Sequence, residues 1–140
     1  GRRDRTWTAP PGASLLASVL VRPNLPADRL FLLTLACGLA ALDAVAEVSG
    51  ASVGLKWPND LVTVAPPDGA GADLDRKVAG ILAESHVVDG RVEAVVVGMG
   101  LNVNWPPPLP DELAATATSL NLLTGREVDL EAILTAWLDH

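Results

Sequence analysis

Apolar and polar positions along the chain switch between the period of a strand and that of a helix. Residues 14–22, SLLASVLVR, form an apolar run stopped by Pro23, which predicts a buried strand. Asn24 to Asp28 turns the chain, and Pro26 or Asp28 opens a helix predicted to run to about Ser49, where Gly50 ends it. Its apolar stretch is interrupted by Thr34, Gly38, Asp43 and Glu47. Because Asp43 and Glu47 lie four apart, they share one helical face, the pattern of a helix packed on a core rather than of a membrane span. Further strands are predicted at 53–57, 61–64, 77–88 and 92–98, with Asp89-Gly90 as the hairpin turn between the last two. Residues 66–75, PPDGAGADLD, read as a hairpin tip, 106–110 open an irregular segment, and Asp129 caps a final helix from Leu130 that is still running at His140.

The hairpin excludes a purely parallel sheet, so the expected fold class is α+β, a mixed α/β domain with a largely antiparallel or mixed sheet. No element precedes the opening GRRDRTW and the last helix is unfinished, so the fold is expected to continue past both ends. With 140 residues, 49% of them hydrophobic, and a mean hydropathy of +0.32, the chain suffices for one domain with a real core. No basic, apolar, small-residue leader is visible in these residues; the expected location is cytoplasmic, with no membrane partner. Cys37 is the single cysteine; it excludes an internal disulfide and reads as an inert core thiol.

Charge narrows the chemistry. A net charge of −7, from 10 Lys+Arg against 17 Asp+Glu, is the wrong sign for a general nucleic-acid surface. Lysine occurs only at 56 and 77. Lys56 opens the run KWPND, where an apolar strand ends in a large aromatic, a φ-locked Pro and an Asn-Asp pair able to bond nearby backbone: a stiff turn that fixes one ammonium. Lys77 opens KVAGILAES, whose Gly80 lets a ligand or another backbone come close. Two fixed lysines point to an anionic ligand.

Two other segments could carry chemistry. Gly1-Arg2-Arg3-Asp4-Arg5-Thr6-Trp7 combines three guanidinium groups with an aromatic; it reads either as a loop folding over a phosphate-bearing ligand or as a solvated tail. In Val97-Gly98-Met99-Gly100-Leu101-Asn102-Val103-Asn104, alternating glycines leave one backbone face bare for a flat ligand, with Asn102 as donor and acceptor; the alternative is a tight bulge with Asn102 in a turn. The run is not the G-x-G-x-x-G dinucleotide fingerprint, since the third Gly is missing and no helix follows directly. There is no Walker lysine loop, no G-x-S-x-G elbow and no Cys or His cluster at metal-ligand spacing, and His86 and His140 read as structural or solvated.

Taken in order, G-R-R-D-R-T-W with P-P-G and L-A-S-V-L, then K-W-P-N-D-L, then K-V-A-G-I-L-A-E followed by V-V-G-M-G-L-N-V-N, and more weakly Ala117-Thr118-Ser119-Leu120, the chain resembles the central part of the catalytic domain of a biotin protein ligase. The resemblance runs from residue 1 to about 123 and implies a class II synthetase-like biotin/lipoate ligase fold, with helices on one side of the sheet. It also implies an upstream strand and helix and a C-terminal small β-barrel that these residues do not include. The implied reaction has two steps: biotin and ATP, with Mg²⁺, give biotinyl-5'-AMP and pyrophosphate, and a lysine on the biotin carrier domain of an acyl-CoA carboxylase then takes the biotinyl group. Related lipoate ligases or octanoyl transferases, and a non-catalytic binder of biotin or biotinyl-AMP acting as a regulator, are the alternatives.

The resemblance assigns roles by position. Lys56 is expected beside the biotin carboxylate as the catalytic ammonium, together with Arg2; Gly1, Arg3, Arg5 and Trp7 belong to the same ligand-covering loop. Lys77 is expected to face the phosphate, and Asn102 the ATP phosphates or their Mg²⁺. Gly80, Gly98 and Gly100 are expected to line the cleft, while Trp57 to Asp60 mount Lys56. A sheet edge is expected to pair with the carrier domain or with a second copy in a homodimer.

Overall fold

The computed structural model describes residues 7–65 and 75–140. Gly1, Arg2, Arg3 and Arg5, and nearly all of the expected hairpin tip at 66–75, lie outside the described residues. Five strands form one antiparallel sheet: β1 (Ser14–Val21), β2 (Val53–Lys56), β3 (Asp60–Thr63), β4 (Lys77–Val88) and β5 (Arg91–Asn102), in the spatial order β1-β5-β4-β3-β2. Helix α1 (Phe31–Ser49) and helix α4 (Leu130–Asp139) pack on each other and on the same face of the sheet, as expected of this fold class. The short helices α2 (Asp111–Ala114) and α3 (Leu120–Thr124), which the sequence pattern did not announce, lie in the connection between β5 and α4.

The period of two fixes which face is which. Along β5, Val95, Val97, Met99 and Leu101 are buried beneath the helices, together with Ile81 of β4 and Leu61 of β3. The alternate positions of β5, including Gly98 and Gly100, therefore face away from the helices. On α1 the buried positions are Gly38, Ala41, Ala44, Val45 and Ser49, so small residues let the helix approach the sheet closely. A Cβ at Gly38 would stand 3.1 Å from Leu55 Cδ2. Asp43 and Glu47 are exposed on the far side, and Glu47 meets His140 at 2.9 Å. This apolar helix is long enough to cross a bilayer by composition, and it packs on the sheet and on α4 instead.

Boundaries moved where local geometry overrode pattern. A 3-10 turn at Ala27–Arg29 precedes α1, so the helix begins later than Pro26 or Asp28. At its other end Gly50 adopts φ 73°, and the Arg126 guanidinium donates to the Val48 and Ser49 carbonyls at 3.1 Å each. The Asp89-Gly90 turn has φ of 49° and 75°, the left-handed pair that a two-residue hairpin needs. Asp129 caps α4 by accepting from the Glu131 and Ala132 amides at 2.8 and 3.2 Å. The largest difference is in β5: the glycine run is not a bulge, and the strand continues in register through Gly98 and Gly100 to Asn102.

Candidate functional site

Strand pairing sets one row of residues across the open face. Leu16 of β1 is the partner of Gly100, Gly100 of Gly80, Gly80 of Asp60, and Asp60 of Lys56. Directly paired residues point to the same face, so two adjacent glycines form a bare platform with Leu16 on one side and charged groups on the other. Ser18 pairs with Gly98 in the next row, and its Oγ would be 3.6 Å from a Cβ placed there. Leu16 and Leu20 are 59% and 53% exposed, which gives the face an apolar half along β1 and an ionic half along β3 and β2.

The Trp7 ring lies on this platform. A Cβ on Gly100 would fall 2.8 Å from Trp7 Cδ2, and one on Gly80 would fall 3.4 Å from Trp7 Cζ3 and 2.9 Å from Lys77 Nζ. The Lys77 ammonium sits 5.6 Å from the centroid of the Trp7 ring and 2.7 Å from Asp60 Oδ1. Trp7 Nε1 is buried and has no hydrogen-bond partner among the described residues. Gly80, Gly100, Trp7, Lys77 and Asp60 thus converge on one spot.

Lys56 does not join them. Its ammonium pairs with Asp75 at 3.3 Å, and both side chains are at least half exposed. Three inter-strand steps, about 14 Å, separate its strand from β5. The ammonium that lies over the platform is that of Lys77: Lys56 on the outer edge strand reaches solvent, whereas Lys77 at the start of the central β4 reaches back over Gly80.

Asn59 behaves as a mount. Its Nδ2 donates to the Ile81 carbonyl at 2.7 Å, and its own carbonyl accepts from the Ile81 amide at 2.8 Å, so the turn is fastened to β4. The Trp57-Pro58 peptide in this turn is cis. Asp60, read from sequence as a turn residue, instead holds Lys77. No sequence signal separates the two roles, because they depend on the β3–β4 register.

Asn102 is 6% exposed and its amide is engaged by the protein. Its Oδ1 accepts from Ser14 Oγ at 3.2 Å and from Trp105 Nε1 at 3.0 Å, and its Nδ2 donates to the Thr118 carbonyl at 3.0 Å. Three bonds leave little capacity for a phosphate or a metal. Among the described residues no group of three or more His, Cys, Asp or Glu side chains is placed to hold a metal ion. The weak A-T-S-L block acquires a purpose here. The Lys77 amide donates to the Thr116 carbonyl at 2.8 Å and the Thr118 amide to the Lys77 carbonyl at 2.9 Å, so this segment pins the backbone that carries Lys77.

The hollow at the start of α4, lined by Glu127, Val128, Asp129, Leu130 and Glu131, is acidic and unsuited to an anion. Cys37 stands on α1, on the helix side of the sheet, and burial pushes its thiol pKa up, as an inert thiol requires.

The family model for the biotin/lipoate A/B protein ligases matches residues 1–102. Similar curated proteins include the bifunctional ligase/repressor BirA of Bacillus subtilis, 33% identical over 96% of this chain and 38% of that protein. The biotin-[acetyl-CoA-carboxylase] ligase of Mycobacterium tuberculosis is 36% identical over 98% of this chain and 50% of its own. Among solved structures, biotin protein ligase from Leishmania major in complex with biotin superposes with a TM-score of 0.74 at 25% identity, over all of this chain and 57% of that one. The Aquifex aeolicus enzyme in complex with biotin and ATP gives 0.68 at 30% identity, over 91% of this chain and 47% of that one. The chain therefore spans between 38% and 57% of the length of these proteins, and it belongs to the biotin/lipoate A/B protein ligase family.

Proposed function

We propose that this chain forms the ligand-binding core of a biotin protein ligase, which activates biotin with ATP and passes the biotinyl group to a lysine of a biotin carrier domain on an acyl-CoA carboxylase. The observation that carries the reading is the Gly80–Gly100 platform, with an apolar flank at Leu16 and a single ammonium, Lys77, over its other end. A substrate with an apolar aliphatic chain that ends in a carboxylate matches that polarity. Lys77 then neutralises the carboxylate and the α-phosphate as they meet, a task for a fixed positive group where charge accumulates. Asp60 orients Lys77, and the 116–118 segment holds its backbone.

The described residues do not fit a protein-built Mg²⁺ cage, and Asn102 is committed to Ser14, Trp105 and Thr118. Mg²⁺ is accordingly assigned to the nucleotide it accompanies, and no step is routed through it. Trp7, Arg2, Arg3 and Arg5 supply the cover that keeps water from the mixed anhydride.

The test is exchange of labelled pyrophosphate into ATP. The reading predicts exchange that depends on biotin; exchange driven equally by lipoate or octanoate would assign the site to the other branch of the family.

A further inference from the structure

Among the described residues Trp57 is the most exposed of the large hydrophobic side chains, at 91%, while Trp105 and Trp137 are 5% exposed. Its exposure is not that of a loose loop. The flanking residues Lys56 and Asp60 are paired across β2 and β3, and Asn59 is bonded twice to Ile81. An aromatic ring is thus held out in water on a stiff mount, at the ionic rim of the site, between Lys56 and the Asp60 that holds Lys77. Rigid aromatic groups lose little freedom on association, and tryptophan is enriched among the few residues that carry interface energy.

We propose that Trp57 is a docking residue for the folded carrier domain that presents the acceptor lysine, an inference that rests on the ligase reading above. In the transfer step the neutral amine nitrogen attacks the acyl carbon of biotinyl-AMP and a C–N bond forms. The bond from that carbon to the phosphate oxygen breaks, AMP leaves with the electron pair, and the amine proton passes to solvent. The amine must be delivered at the rim, where Trp57 stands, whereas adenylate formation takes place on the platform and does not require it.

The experiment compares Trp57→Ala and Trp57→Phe with the unsubstituted protein, using a purified carrier domain and hydroxylamine as alternative acceptors. For Trp57→Ala the KM for the carrier domain should rise about tenfold or more, as for a central interface aromatic. Biotin-dependent pyrophosphate exchange, hydroxamate formation and melting temperature should be unchanged, and Trp57→Phe should recover most of the loss. Normal exchange with an unchanged carrier KM overturns the docking role alone, as does an equal fall in exchange and transfer. Absence of biotin-dependent exchange in the unsubstituted protein overturns the ligase reading and this role with it.

Discussion

Gly100→Ala isolates the platform, because it adds one methyl group at a known place. That carbon would lie 2.8, 2.9 and 3.0 Å from three atoms of the Trp7 ring, where ordinary carbon contacts need about 3.5–4.0 Å. The ring, or any flat ligand replacing it, must therefore move outward by roughly 0.7–1.2 Å. Overpacking of this kind costs about 1–3 kcal/mol, which is about 5- to 150-fold in affinity. The same overlap with Trp7 acts on the ligand-free fold, and it is offset only in part by the about 0.5–1 kcal/mol of glycine's entropic penalty that alanine removes in regular strand. Calorimetric titration with biotin should show the affinity loss, and the melting temperature should fall modestly as the Trp7 ring is pushed off the platform. Gly98→Ala is the companion: its added carbon meets only Ser18 Oγ at 3.6 Å and the Leu82 carbonyl at 3.9 Å, so any loss must come from the ligand. Wild-type biotin affinity in Gly100→Ala would refute the platform.

Asn102→Leu should destabilise by about 2–4 kcal/mol in urea unfolding, because it strands the Thr118 carbonyl and part of the Ser14–Trp105 pair in a buried site; a loss of ligand binding with stability intact would return Asn102 to a direct ligand role. For Cys37 the thiol pKa is raised in the folded state, so the fold holds that proton more tightly than the unfolded chain does. The resulting stability is fully present below the ordinary thiol pKa and is lost as pH rises through the window up to the folded value. Cys37→Ala should therefore flatten the alkaline limb of melting temperature against pH, and an unaltered slope would contradict the assignment.

The sequence revealed the elements better than their assembly. The apolar run stopped by Pro23 located β1, although β1 is an edge strand with Leu16 and Leu20 exposed and not the buried strand expected, and the run from Lys77 and the turn chemistry of Asp89-Gly90 located β4 and its hairpin, because those signals are local. The glycine run was legible as a bare backbone edge, yet its partner could not be read: that Gly100 faces Gly80 is a matter of register. The same limit hid which lysine lies over the platform. KWPND announces a stiff turn, and the turn is stiff, but only the sheet order shows that Lys56 lies on the outer strand and that Asp60 points at Lys77. Leu16 and Ser18 escaped notice because their residue types are ordinary for a strand, and they reach the site only through pairing with Gly100 and Gly98. Asn102 was marked by its polarity beside glycines; its partners Ser14, Trp105 and Thr118 come from three distant segments.

The most direct measurement is biotin-dependent pyrophosphate exchange in Lys77→Ala beside Lys56→Ala. With Lys77 as the ammonium that meets the carboxylate and the α-phosphate, its loss should lower the exchange rate by about 10²–10³-fold, the scale for removing one preorganised stabilising group. Lys56→Ala, which gives up an exposed pair with Asp75, should stay within about tenfold of the unsubstituted protein. Exchange that survives without Lys77 and collapses without Lys56 would contradict the account.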